Sequence, residues 1–172
     1  MIYLSKLIKE THGDNGSMIM FLDMDGVLTD YYGALDAVTP EGDEFSAMDV
    51  AAEIGPKWWI EMEWLPDGRR LWDYVKQHYK NIHILSAVDG PGTFGESAIQ
   101  GKTIWLKRHI PEIPESHFHF VYDGAYGKAK FADQNRILVD DRVENIDAWI
   151  ENGGIGIVHQ NARYTIRELE NL

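Results

Sequence analysis

Two aspartates separated by one residue, Asp23 and Asp25, are the side chains of this sequence best placed to do chemistry. They follow the apolar run of residues 18–22 and precede Gly26. In an extended segment residues i and i+2 face the same side, so the two carboxylates point at one place. Converging carboxylates repel each other unless a cation lies between them, and oxygen ligands favour Mg²⁺. The motif predicts a metal-assisted acid–base site, and the alternative is an acidic turn exposed to solvent.

Two further apolar runs end in polar residues. The run 82–85 ends at Ser86, and the run 136–139 ends at Asp140 and Asp141. Short apolar runs bounded by turn residues are typical of strands buried on both faces of a parallel sheet. Ligands of such sheets bind beyond the carboxyl ends of the strands. These side chains are therefore expected to meet the aspartate pair.

Asp141 has two interpretations. It precedes a helical pattern, and Glu144 follows three residues later, which is the spacing of a capping box. Its carboxylate either satisfies N–H groups at the start of that helix or supports a metal site from its second shell. The sequence leaves both open.

Helical patterns separate the apolar runs. Apolar residues recur at helical spacing in 71–79, and at Val143, Ile146 and Trp149 with its neighbour Ile150. The apolar residues 104–106 are assigned to a further helix. Strands that alternate with helices predict a three-layer α/β fold around a parallel sheet. A polar, glycine-containing break at residues 12–17 sets a short N-terminal segment apart from this fold.

Composition narrows the class of protein. The 172 residues suit one domain, and 16 basic against 28 acidic residues give a net charge of −12. This balance disfavours nucleic-acid and anionic-membrane binding, which need a basic face. The absence of cysteine excludes disulfides, thiolate metal sites and cysteine nucleophiles. Without a long apolar run or a signal sequence, a cytoplasmic protein is expected.

The motifs occur in the order seen in the haloacid dehalogenase superfamily of phosphatases. The segment Asp23-Met24-Asp25-Gly26-Val27 resembles the first motif, Ser86 the second, a downstream lysine the third, and Asp140-Asp141 the fourth. The resemblance implies a Rossmann-like core, residues 18–30 and 66–172, with a small helical cap, residues 31–65, inserted after the first strand. Residues 1–17 would then form an N-terminal extension.

The same resemblance assigns roles to these residues. Asp23 would attack phosphorus and bind Mg²⁺, while Asp25 would act as general acid and base and bind Mg²⁺ through its backbone carbonyl. Ser86 and the lysine would hold phosphoryl oxygens. Asp140 would complete the metal shell, with Asp141 in the second shell.

Within that superfamily the sequence resembles the 5'(3')-deoxyribonucleotidase family. Tyr31, eight positions after the first aspartate, and the pair Trp58-Trp59 resemble the residues that contact the base. In that family the lysine lies ten positions before the paired aspartates, which favours Lys130 over Lys128. A lysine that often follows the second motif is replaced here by Asp89.

The resemblance therefore implies a Mg²⁺-dependent phosphatase acting on nucleoside monophosphates, with deoxyribonucleotides favoured. The alternatives are a phosphatase for another small phosphate ester and a nucleotide-binding protein that has lost turnover. A homodimer is expected from the resemblance alone. No nucleic-acid or membrane partner is expected.

Overall fold

The structure, a computed structural model, describes residues 18–39, 44–88, 90 and 92–172, with the backbone alone at 44–46 and 93. The predicted N-terminal extension and the departure at Asp89 lie outside the described residues.

Within the described part of the chain, five strands form one parallel sheet. They are β1 (Ile19–Leu22), β2 (Asn81–Ala87), β3 (Phe118–Val121), β4 (Arg136–Asp140) and β5 (Ile155–Val158), in the spatial order β3-β2-β1-β4-β5. The first strand is central and pairs in parallel with β2 on one side and β4 on the other. This architecture confirms the predicted α/β fold, and the strands that carry the candidate residues are neighbours.

Eight helices are described. They are α1 (Tyr31–Asp36), α2 (Glu44–Ile54), α3 (Pro56–Ile60), α4 (Gly68–His78), α5 (Thr93–His109), α6 (Gly124–Ala129), α7 (Val143–Glu151) and α8 (Ala162–Glu170), with a 3₁₀ turn at Glu115–His117. Among these helices none has the combined length and apolar character that a membrane crossing requires.

The two faces of the sheet bury different apolar clusters, which makes the fold three-layered. On one face Met20 and Leu22 of β1 join the large cluster that includes α4, α5 and α8. On the other face Phe21 packs with Trp149 of α7 in a smaller cluster. Because side chains alternate along a strand, β1 supplies both cores, and this explains its uninterrupted apolar sequence.

Helix α7 is rotated relative to the orientation that its apolar pattern predicts. Ile146 and Trp149 are buried as expected, but Val143 and Ile150 are about half exposed. Asn145 is buried instead, because its amide reaches Asp140. At about 100° per residue, turning Asn145 towards the sheet moves Val143 and Ile150 to the flanks of the buried stripe.

The segment that carries helices α1 to α3 begins and ends at neighbouring points of the core. Thr29 and Trp64 form an antiparallel bridge. Beside it, the Asp30 N–H donates to the Glu63 carbonyl at 3.0 Å. The three helices between these residues occupy the position predicted for the cap, and their independence as a unit stays a prediction.

Candidate active site

Asp23 extends the ladder of β1 by one residue and ends it. Its N–H donates to the Val139 carbonyl at 2.9 Å, and its Oδ1 accepts from the Met24 N–H at 2.7 Å. Gly26 then takes a φ of +72°, a left-handed conformation that glycine adopts without strain. The chain therefore turns away behind the two aspartates and leaves both at the carboxyl end of the central strand.

Lys128 of α6 lies between two of the predicted acidic residues. Its Nζ is 3.0 Å from Asp23 Oδ2 and 2.5 Å from Asp140 Oδ2, and its side chain is fully buried. Burial alone would lower the pKa of Lys128, but attraction to Asp23 and Asp140 outweighs it, so the pKa is raised. Lys128 is therefore a fixed positive charge between these carboxylates.

The preference for Lys130 is corrected by this placement. Helix α6 ends at Ala129, and Lys130 follows it with its Nζ 4.6 Å from the centre of the exposed Tyr126 ring. Two residues along a helical turn differ by roughly 200° in direction. Lys128 and Lys130 therefore cannot both face the carboxylates, and the buried one is Lys128.

A second buried lysine, Lys102 of α5, was not predicted as a functional residue. Its Nζ donates to Asp25 Oδ2 at 2.6 Å, to Ser86 Oγ at 3.1 Å and to the Ala87 carbonyl at 2.8 Å. The side chain is 2% exposed. Burial raises the pKa of the Asp25 carboxyl, and the charge of Lys102 only partly offsets this.

Ser86 is placed where the sequence predicts, at the carboxyl end of β2. It is fully buried, and its Oγ accepts the hydrogen bond from Lys102. Because β2 is paired with β1, this hydroxyl lies in the strand next to the aspartate pair. The lysine thereby joins Ser86 to Asp25.

Asp140 is held by several neighbours. Its Oδ1 accepts from the Arg142 N–H at 3.0 Å and from the Asn145 Nδ2 at 2.8 Å, while its Oδ2 meets Lys128. Burial and the charge of Asp23 raise its pKa, and Lys128 opposes them. The carboxylate is fixed in position by these contacts.

Oxygens of Asp23, Asp140 and Asp141 form a cluster that suits a hard cation. One carboxylate oxygen from each residue lies within 4.8 Å of the others. Near them Asn145 Oδ1 is buried and has no hydrogen-bond partner among the described residues. A set of carboxylates with a spare amide oxygen matches the ligand chemistry of Mg²⁺. The residues present therefore fit the ion that the sequence predicts.

Asp25 stands apart from that cluster by its side chain, which is paired with Lys102. The predicted contribution of Asp25 to metal binding involves its backbone carbonyl and stays a prediction. Its carboxyl group is free of the cluster and remains available for proton transfer.

The side chain of Asp141 is bonded to Tyr32 of α1, and α7 begins without a side-chain cap, so the capping-box interpretation is wrong. An oxygen of Asp141 lies in the carboxylate cluster itself, which makes it a candidate ligand rather than the second-shell residue that was predicted. Asp141 Oδ2 accepts a hydrogen bond from the Tyr32 hydroxyl at 3.0 Å. Burial and the charge of Asp23 raise the pKa of Asp141 to about 6. Burial and the charge of Asp141 in turn raise the pKa of Tyr32 to about 12. The pair links α1 to the residue that follows β4.

A cavity of about 200 Å³ opens above these groups. Its walls come from both the core and the predicted cap, and they combine charged and aromatic side chains, among them Asp23, Asp25, Tyr31, Tyr32, Met48, Trp59, Lys102, Tyr122, Lys128, Asp141 and Asn145. Tyr31 and Trp59 therefore lie where the sequence predicts contact with a substrate.

Trp58 is corrected from a substrate contact to a packing residue. It is 7% exposed, and it is not one of the described residues that line the cavity. Its ring packs edge-on against Trp59 at 5.0 Å and against Tyr31 at 5.7 Å. Neighbouring residues on a helix point in different directions, so only one tryptophan of the pair reaches the cavity.

Comparison with solved structures identifies the fold. An L-2-haloacid dehalogenase is similar over 90% of this chain and 100% of that chain, with a TM-score of 0.55 and 13% identity. A hydrolase from Pseudomonas syringae matches over 88% of each chain with 16% identity and a TM-score of 0.48. A HAD hydrolase of family IA from Entamoeba histolytica matches over 90% of this chain and 89% of that chain, with 14% identity and a TM-score of 0.49.

No protein-family model matches the sequence, and no curated protein is similar enough in sequence to count as a match. The chain has a haloacid dehalogenase-like fold, and this rests on the likeness to the dehalogenase structure together with the strand order described above. At 13% identity that likeness establishes the fold and not the substrate.

Proposed function

We propose that this protein is a Mg²⁺-dependent phosphatase that hydrolyses nucleoside monophosphates through an aspartyl-phosphate. The observation that carries the proposal is that Asp23 and Asp25, both at the carboxyl end of β1, have different surroundings. Asp23 lies against Lys128, which suits a carboxylate nucleophile. Asp25 has a raised pKa, which suits a group that must donate a proton.

The charges around the cavity support a phosphate ester bound together with a cation. Four carboxylates, Asp23, Asp25, Asp140 and Asp141, face two ammonium groups, and 4 − 2 leaves two negative charges when all are ionised. Arg142 also lines the cavity, but its charge is paired with Glu144. A phosphate dianion would be repelled by that excess. A divalent cation in the carboxylate cluster would cancel it, and the two lysines would then bind phosphoryl oxygens.

The reaction follows from these positions in two displacements. In the first, an oxygen of Asp23 forms a bond to phosphorus while the bond from phosphorus to the ester oxygen breaks. Asp25 gives its proton to that leaving oxygen, so an alcohol departs. In the second, Asp25 takes a proton from water, the water oxygen bonds to phosphorus, and the bond to Asp23 breaks to release phosphate.

The buried lysines hold the reacting groups throughout. Lys128 keeps Asp23 oriented, and Lys102 sets the charge around Asp25 while reaching Ser86. Oxygens of Asp23, Asp140 and Asp141 would hold Mg²⁺. When bound, the ion would stabilise the negative charge that develops on the phosphoryl oxygens.

The cavity walls support a substrate with a flat ring. Tyr31 and Trp59 line the same cavity as the charged groups, and aromatic side chains favour stacking on a base. The volume of about 200 Å³ is below the ~300–1,000 Å³ typical of ligand sites. A smaller phosphate ester, the second candidate substrate, would fit within this volume, whereas a nucleotide would extend beyond it.

The test is phosphate release from ribo- and deoxyribonucleoside monophosphates, with 5' and 3' phosphates, and from small phosphate esters such as glycerol phosphate. Each is assayed with Mg²⁺ and with EDTA. We expect Mg²⁺-dependent release favouring a nucleotide, and loss of release in Asp23→Asn. The exposed Asp147→Asn is the matched control and should keep wild-type release.

Three outcomes would contradict the proposal. Undiminished release by Asp23→Asn would refute the nucleophile. Nucleotide binding without release would favour a protein that no longer turns over. Release of halide from a 2-haloalkanoate, with no phosphate release, would show that the fold carries a different displacement.

A further inference from the structure

We infer that Tyr32 is a positioning residue that links closure of the cap to occupation of the cation site through the carboxylate of Asp141. The inference rests on the cation site of the proposed function, and it does not depend on which ester is hydrolysed.

The link is a hydrogen bond between two parts of the chain that are distant in sequence. Tyr32 belongs to α1, its hydroxyl donates to Asp141 Oδ2 at 3.0 Å, and both residues line the cavity. Asp141 also supplies an oxygen within 4.8 Å of oxygens of Asp23 and Asp140. One carboxylate therefore serves both the cap and the cluster.

Gly26 makes this meeting possible. A Cβ on Gly26 would overlap the carboxylate of Asp141 and would lie 3.1 Å from Cε2 of the Tyr32 ring. The bare glycine thus leaves the space in which the phenol and the carboxylate meet directly above the turn that follows β1. The contact belongs to the same turn that orients Asp23 and Asp25.

Electrostatics gives the direction of the coupling. Without a cation, the charges of Asp23 and Asp140 repel the carboxylate of Asp141, which makes its position beside them less stable. A cation reverses this and draws Asp141 towards the cluster in the orientation that Tyr32 stabilises. Because coupling between two equilibria is reciprocal, closing the cap must raise cation affinity by the factor by which the cation favours closure.

The first experiment measures Mn²⁺ affinity by electron paramagnetic resonance, without substrate, in wild type, Tyr32→Phe and Tyr126→Phe. Tyr126 is an exposed tyrosine of α6 outside the cavity lining, so its hydroxyl is the matched control. Loss of a residue that orients a metal ligand typically weakens binding 10–100-fold. We expect about tenfold weaker binding in Tyr32→Phe and wild-type binding in Tyr126→Phe.

The second experiment measures backbone hydrogen exchange in residues 31–36 with and without Mg²⁺. We expect Mg²⁺ to slow exchange in wild type and Tyr126→Phe and to have no effect in Tyr32→Phe, although α1 remains folded. A merely structural role for the hydroxyl would change exchange equally with and without the ion.

Several results would overturn the inference. They are wild-type Mn²⁺ affinity in Tyr32→Phe, absence of Mn²⁺ binding by the wild type, and exchange that Mg²⁺ slows equally in both tyrosine variants. Failure of phosphate release alone would instead overturn the proposed function, because neither experiment requires turnover.

Discussion

Replacing Lys102 by methionine tests the assignment of proton transfer to Asp25. Methionine has a similar length and no charge, so it removes the three hydrogen bonds of the ammonium group while filling most of its space. Two unit charges at 4 Å interact by about 4 kcal/mol at an effective dielectric constant of about 20. An adjacent opposite charge typically lowers a carboxyl pKa by about 1–3 units.

The variant should therefore raise the pKa of Asp25 further, because it removes the positive charge that lowers it. The first displacement requires protonated Asp25, so the basic limb of the kcat/KM profile should move to higher pH, by the roughly 1–3 pH units typical of an adjacent opposite charge. Loss of a charged hydrogen bond to the phosphoryl group, worth about 1.5–3 kcal/mol, should also lower kcat/KM at its optimum about 10- to 100-fold.

The assay is phosphate release across pH 5–10, with thermal unfolding to verify folding. Lys107→Met is the matched control, because Lys107 is on the same helix but exposed and paired with Glu115. It should leave the profile unchanged. A basic limb that stays in place in a folded Lys102→Met protein would refute the assignment of that limb to Asp25.

Three further predictions follow from single contacts. Lys128→Met should reduce phosphate release at least about a hundredfold, because it removes the charge beside the nucleophile. Lys130→Met should change release less than about twofold. A larger loss of release in Lys130→Met than in Lys128→Met would contradict the placement of the two side chains. Gly26→Ala should lower the free energy of unfolding by about 1–3 kcal/mol in urea, since φ is +72° and the new Cβ overlaps Asp141; an unchanged midpoint would contradict this. Burial and neighbouring imidazoles lower the pKa of His83 to about 4, so His83 is neutral in the fold and gains a proton on unfolding between its native and ordinary pKa values. Stability should therefore fall as pH drops from 7 to 5, by about 1 kcal/mol after allowance for partial exposure, and His83→Gln should remove that part of the urea-measured dependence.

The sheet and the aspartate pair could be predicted because both are encoded locally. Residues 18–22 are apolar without interruption and are followed by turn residues, which is typical of a strand buried on both faces. Asp23 and Asp25 are two residues apart at the end of that strand, so their proximity follows from backbone geometry. Parallel pairing then brought Asp140 to the same edge of the sheet.

The lysines could not be assigned with the same certainty because their directions depend on helix bounds. Choosing between Lys128 and Lys130 requires knowing that α6 ends at Ala129. Lys102 did carry a signal that was missed. It lies four residues after Ala98 and three before Trp105, both buried, so it is on the apolar face of α5. A lysine on a buried face needs an anionic partner, and Asp25 provides it.

The orientation of Asp141 illustrates a contact that pattern alone does not contain. Its spacing to Glu144 satisfies the rule for a helix cap, but the observed partner is Tyr32, more than a hundred residues earlier in the chain. Whether the Asp141 carboxylate bonds to a nearby N–H group or to the distant Tyr32 depends on where helix α1 lies, and the sequence pattern does not give that position. The same holds for Asn145, whose bond to Asp140 sets the rotation of α7.

The central position of β1 has a consequence for when the site is assembled during folding. Met20 of β1 pairs with Ile82 of β2 and with Ile137 of β4, so the sheet joins segments from both halves of the chain. Such non-local pairing is formed slowly, because the closure of long loops must precede it. A nascent chain that ends before residue 128 holds Asp25 with Lys102 but Asp23 without Lys128 and Asp140. The charged groups around Asp23 are therefore brought together only after the chain has been made as far as β4.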